Sequence, residues 1–342
     1  MRTLKLFTTV FCAATIVACK TDKKEVKTET ETVVVEKEVE ETPKKYAEIS
    51  IAQGGEWKDG SRGHKEYSDG KSFKNVSSLK VPDQHTDHSW YIRYEGPGWE
   101  SNKVGYRLYL DWRNAIDIFG KKTDTMVLSQ VGQDGFDSYH EPQSWGQDIL
   151  KVKNGLGIGS IGRKVNNDVL HFNEVDSTFA NVENLKNSSV VNVDYYGWKT
   201  GEEKIDLKST LSIGENARYT KHTVQTSKAV TGIVTGIVNH DVNYFHKVSD
   251  NKKWAYMATY GVQTLVPDKL GMAIFYQVDT TTGDITKGKD DYLLEFKPTT
   301  SAVSFYFLGA WEQEKDGIKT EADFITYLDN MLVELNNTNT LK

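Results

Sequence analysis

The 342-residue chain is 38% hydrophobic and 26% charged, with 27 Gly, 6 Pro and only 2 Cys, which excludes collagen-like, wholly disordered and disulfide-rich classes. A net charge of −6 gives nucleic acid no electrostatic footprint, so an anionic ligand would need a local cluster of Arg or Lys. The 8 Trp, 17 Tyr and 13 Phe suit sheets and sugar-stacking surfaces better than a helical bundle.

Arg2 and Lys5 precede an apolar run, residues 6–18, that is too short to span a bilayer and has the form of a secretory signal. It closes on Ile16-Val17-Ala18-Cys19, which resembles the bacterial lipobox, so residues 1–18 are expected to be removed and Cys19 lipidated. Cys12 leaves with the signal and Cys19 is lipidated, which rules out a disulfide, a cysteine nucleophile or a thiolate zinc site in the mature chain. Residues 19–45, dense in Lys, Glu, Asp and Thr and free of aromatics, read as a solvated tether to a membrane, with the bacterial outer membrane as the expected location and the face it occupies left open.

Residues 46–342 carry no second linker and no fixed repeat, which predicts one domain. Alternation over 104–113 places Val104, Tyr106, Leu108, Leu110 and Trp112 on one face and Arg107, Tyr109, Asp111 and Arg113 on the other. Further strands are predicted at 90–95, 190–196, 208–213, 221–226, 254–266, 272–278, 292–296 and 303–308, with turns at 249–252 and 281–284. The expected fold is mainly β, a large antiparallel β-sandwich, with a mutarotase-like supersandwich as the candidate architecture. Thr320 and Asp323 are placed to cap a closing helix whose Phe324, Tyr327, Leu328, Met331, Leu332 and Leu335 share one face, suited to covering a sheet.

Gly157-Ile158-Gly159-Ser160-Ile161-Gly162 spells a dinucleotide fingerprint, but no helical periodicity follows it, so the glycines read as close backbone packing in a sheet. Arg107 and Arg113 offer planar forks for carboxylate or sulfate, or else pair with Asp111 to fix neighbouring strands. His85-Thr86-Asp87-His88 could seed a metal site, although it lacks a helical ligand spacing. Tyr139-His140 lies in a loop-like run that ends at Asp148, and Asn239-His240-Asp241 is a third candidate that fits a turn equally well. Trp99, Trp112 and Trp145 are candidate sugar-stacking rings, with core packing as the alternative for Trp112, whose alternation puts it with Leu108 and Leu110.

The run Tyr91-Ile92-Arg93-Tyr94-Glu95-Gly96-Pro97-Gly98-Trp99-Glu100-Ser101, continued through Tyr109-Leu110-Asp111-Trp112-Arg113-Asn114 to Lys121, resembles a bacterial family long catalogued as a domain of unknown function. The likeness recurs at Ser138-Tyr139-His140, Trp145-Gly146-Gln147-Asp148, 156–162 and 307–312. Its members sit among polysaccharide-degrading systems. The resemblance implies dehydration of uronic-acid-ended oligosaccharides, notably those of the algal polysaccharide ulvan, to a 4,5-unsaturated uronyl end that a partner unsaturated glucuronyl hydrolase can remove. It carries over no catalytic positions.

Such an elimination places a second negative charge on the sugar carboxylate, which Arg107 and Arg113 are expected to meet, with Arg93 in reserve and Asp111 orienting one of them. Neutral His140 is the expected base at C5, and Tyr139 or His88 the acid that protonates the departing C4 hydroxyl. No cofactor is expected, with a divalent metal as the alternative. A polysaccharide lyase and a non-catalytic glycan-binding lipoprotein are the rival readings, and all three take an anionic, sulfated, uronate-bearing oligosaccharide as ligand.

Overall fold

The structure, a computed structural model, describes residues 43–135 and 138–342. The expected signal peptide, the lipidated Cys19 and the tether as far as residue 42 lie outside the described residues. Residues 43–342 form one unit, and its first strand opens at Lys45, at the predicted end of the tether.

Among the described residues the strands form four sheets, and every pairing between named strands is antiparallel. The largest has nine strands, from Asn243–Val248 at one edge to Ser78–Lys80 at the other, with Lys269–Gln277, Val303–Trp311 and Tyr219–Thr226 toward its middle. Strict alternation along Val303–Trp311 buries it on both faces. Phe305, Phe307 and Trp311 enter the main core, while Tyr306, Leu308 and Ala310 meet the closing helix Glu321–Thr338. That helix starts as expected: Thr320 accepts from the Asp323 backbone N–H at 3.1 Å, and Phe324, Leu328, Met331, Leu332 and Leu335 are buried.

Opposite the helix, a six-stranded and a five-stranded sheet cover the large sheet and complete the sandwich. Tyr106 meets Phe307 edge-on at 5.3 Å across this interface, and Trp99 donates to Thr220 Oγ1 at 2.8 Å. The glycine run opens the strand Ile158–Val165. A Cβ on Gly157, at φ +71°, would lie 1.9 Å from the Ile116 carbonyl oxygen. The close-packing reading of these glycines holds.

Four local expectations need correction. Residues 90–95 make a turn, with a single 3-10 element Arg93–Glu95, because His88, Trp90, Tyr94 and Glu95 all take positive φ. The strand through Arg107 ends at Leu108, and residues 111–114 turn back on themselves, so the face shared by Arg107 and Arg113 does not exist as a strand face. Trp112 is consequently 38% exposed instead of joining the core. The turn expected at 281–284 is part of the strand Thr281–Lys287, whose register shifts there against its neighbour.

Candidate active site

The six-stranded sheet brings Arg107 (on Val104–Leu108), Asp117 (on Ile116–Lys121) and Asp148 (on Gly146–Asp148) side by side, because these three strands are consecutive neighbours. All three side chains are buried. Arg107 Nη2 donates to Asp117 Oδ2 at 2.8 Å and to Asp148 Oδ2 at 2.6 Å, and its Nη1 donates to the Tyr139 hydroxyl at 2.9 Å. The Tyr109 hydroxyl donates to Asp117 at 2.5 Å. Burial, and then the nearby charge of Asp148, push the Asp117 pKa up against the pull of Arg107.

Asp148 Oδ2 also lies 3.2 Å from His140 Nε2. Burial works to lower the His140 pKa, but the hydrogen bond and charge of Asp148 outweigh it and hold the imidazole above its ordinary range. A second imidazole–carboxylate pair forms where the strained segment 88–95 turns. His88 Nδ1 bonds Asp87 Oδ1, and the His88 backbone N–H donates to Glu95 Oε1 at 2.9 Å. Arg113 Nη2 holds Glu95 Oε1 at 2.8 Å and Asp87 Oδ1 at 3.0 Å, and its fork also grips Asp111. Burial raises the Glu95 pKa despite Arg113 and Arg107, and its Oε2, buried, has no hydrogen-bond partner.

These groups surround one hollow of about 350 Å3, lined by Arg62, His88, Trp90, Glu95, Arg107, Tyr109, Arg113 and His140. Arg62 arrives from the tip of a separate hairpin, Glu56–Asp59 with Lys65–Ser68. That hairpin is locked to the strained segment by the rings of Trp57, Tyr67 and Tyr91, with centroids 5.1–5.4 Å apart, and by the Tyr67 N–H donating to Ser89 O at 2.7 Å. Among the described residues Arg62 is exposed and makes no ion pair, unlike Arg107 and Arg113.

The hollow therefore unites His140, His88, Arg107 and Arg113 from the expected set, and revises their company. Asp111 does orient Arg113, whose charge is shared among three carboxylates. Tyr139 is buried beside the hollow with its hydroxyl on Arg107. Arg93 pairs internally with Glu48 and does not reach the hollow. Trp99 is fully buried against Tyr106, and Trp145, buried edge-on to Phe119, lines a different hollow with Gln143 and Ser144; the ring that lines this hollow is Trp90. His85 is turned inward onto Ser89, where burial takes its pKa down to about 4, and His240 lies in a turn elsewhere.

Asp87, His88 and Glu95 bring potential metal-ligand atoms within 4.8 Å of one another, without His85. The Arg113 guanidinium already bridges two of these groups, so a divalent cation would have to displace it. Sequence reasoning missed Glu95, Asp117 and Arg62. The first two lie inside the recognised motif, but only strand pairing shows that they converge; Arg62, in a polar hairpin, gave no signal.

The family described as a domain of unknown function (DUF4861) matches residues 17–340. No curated protein matches the sequence. Solved structures similar to it include a protein described as a kojibiose phosphorylase from the human microbiome, at 9% identity and TM-score 0.40, over 69% of this chain and 32% of that one. A protein described as an aldose 1-epimerase from Klebsiella pneumoniae matches at 6% identity and TM-score 0.35, over 86% and 97% of the two chains. A TPR-domain protein from Parabacteroides distasonis matches at 8% identity and TM-score 0.31, over 78% and 54%. The chain thus spans about a third of the length of the first of these.

Proposed function

Because the chain belongs to the domain-of-unknown-function family DUF4861, its activity has to be read from the hollow itself, and we propose that it is a hydro-lyase that removes water from the uronic-acid end of an oligosaccharide. The observation that carries this reading is the pairing of two imidazoles, each hydrogen-bonded to a carboxylate, with arginines in one hollow of a size that suits a small ligand. The sequence likeness in residues 91–121 favours ulvan oligosaccharides as substrate, with lipid anchoring through Cys19 and a glucuronyl hydrolase acting next.

In this mechanism Arg62, with the exposed edge of Arg113, meets the sugar carboxylate and stabilises the charge that builds on it. Neutral His140 takes the C5 proton. The C4–oxygen bond breaks as His88 supplies a proton, so the hydroxyl leaves as water and a C4–C5 double bond forms. His88 suits the acid role better than Tyr139, whose hydroxyl is engaged with Arg107 behind the hollow wall. Buried Arg107 and Asp148 keep the base in place.

The test is incubation with glucuronate-ended oligosaccharides followed by mass and absorbance. Loss of one water with a new chromophore and an unshortened chain supports the reading. Shortened chains indicate a polysaccharide lyase, and unchanged ligand with measurable affinity indicates a binding protein. His140→Ala is expected to lower kcat by roughly 10²–10⁴-fold while leaving Kd within about twofold. Normal turnover in that variant would remove His140 from the mechanism.

A further inference from the structure

A second hollow, of about 290 Å3, is lined by Trp112, Asn154, Asn167, His171, Lys289 and Asp291 among others. The turn at 111–114 is the shared wall: Arg113 lines one hollow and Trp112 the other. Trp112 and Arg113 are consecutive in that turn, so one short stretch of backbone divides the two hollows.

The turn is held from several sides. The Phe172 N–H donates to Trp112 O at 2.9 Å, and His171 Nδ1 lies 2.9 Å from Arg113 O. The Arg113 N–H donates to Asp111 Oδ1 at 2.9 Å, and Asn114, at φ 45°, is tied to Ser160 and Tyr195. Backbone fixed this firmly holds an indole 38% exposed, braced edge-on by His171 at 6.0 Å, in a hollow that amide and acid side chains also line. An apolar ring face beside side chains that both donate and accept hydrogen bonds is what a pyranose recognises, since it has a C–H face and a rim of hydroxyls. Asp291, buried in the wall of the hollow, ties it to the sheet: its Oδ1 accepts from the Leu156 N–H at 2.9 Å, and burial takes its pKa up to about 7.

We propose that the second hollow is a subsite for the sugars that follow the uronate end, with Trp112 as the stacking platform. The proposal rests on the reading that the first hollow takes that end, and it makes the protein a binder of oligosaccharides of more than two sugars. Titration calorimetry of glucuronate-ended di- and tetrasaccharides tests it, in a His140→Ala background so that the ligand persists. The tetrasaccharide should bind about tenfold tighter than the disaccharide, Trp112→Ala should remove most of that gain, and Trp112→Phe should retain part of it. Equal affinity for the two lengths, or a gain that survives Trp112→Ala, overturns the subsite, as does failure of both to bind. A Trp112-dependent gain in a protein that dehydrates nothing keeps the subsite and removes the hydro-lyase; dehydration with length-independent affinity does the reverse.

Discussion

One oxygen of Asp148 holds both Arg107 and His140, and this sharing sets how the proposed base titrates. Asp148 favours the charged imidazole, so the proton leaves His140 only above its ordinary pKa of 6.5. A base must be neutral, so kcat/KM is expected to rise with pH through an inflection above 6.5. In Asp148→Asn the burial and the positive Arg107, both of which lower the pKa, face only the weaker pull of Asp117. The acidic limb should then move to lower pH, with kcat reduced as the ring loses its anchor. A profile measured on both proteins checks this, and an unmoved limb would assign it to another group. Arg107 and Arg113 separate what local sequence encodes from what only the fold supplies. Pairing with Asp111 is one of two alternatives the sequence leaves open; Arg113 takes it, whereas Arg107 pairs with Asp117 and Asp148, up to 41 residues away, and no local pattern announces that convergence.

At the scale of elements, periodicity identified what depends on one face being buried. The closing helix appears where 3.6-residue spacing places it, and the strands expected at 190–196, 208–213 and 303–308 lie within longer ones, Ser188–Thr200, Glu203–Gly214 and Val303–Trp311. Periodicity carries no signal where backbone conformation departs from any period. Positive φ at His88, Trp90, Tyr94 and Glu95 turns a strand-like sequence into the rim of the hollow, a strain that persists only where the surroundings enforce it. The glycine run lies at the other extreme, because its steric demand is visible in the residue type. Gly157→Ala would combine a left-handed φ with a clash against the Ile116 carbonyl, so a loss above about 2 kcal/mol is expected in urea unfolding. Stability within about 0.5 kcal/mol of the parent would mean that Ile116 and Gly157 can part without cost to either sheet.

For the whole molecule, a charge of −6 and a hollow rich in carboxylates oppose long-range attraction of an anionic sugar, so recognition falls to short contacts with Arg62, the edge of Arg113 and the aromatic platforms. Those contacts come from the hairpin, the strained segment and the 111–114 turn, all seated on one antiparallel sandwich. A ligand that bridges them binds the folded chain and not the unfolded one. At about 100 times Kd it should therefore add about 2.7 kcal/mol of stability. In the His140→Ala protein, which is expected to hold substrate without converting it, scanning calorimetry should show a single transition raised by roughly 5 °C with a glucuronate-ended tetrasaccharide. If only part of the heat absorption moved, the hairpin carrying Arg62 would be unfolding apart from the sheets, and the carboxylate contact would have to be sought on the sandwich alone.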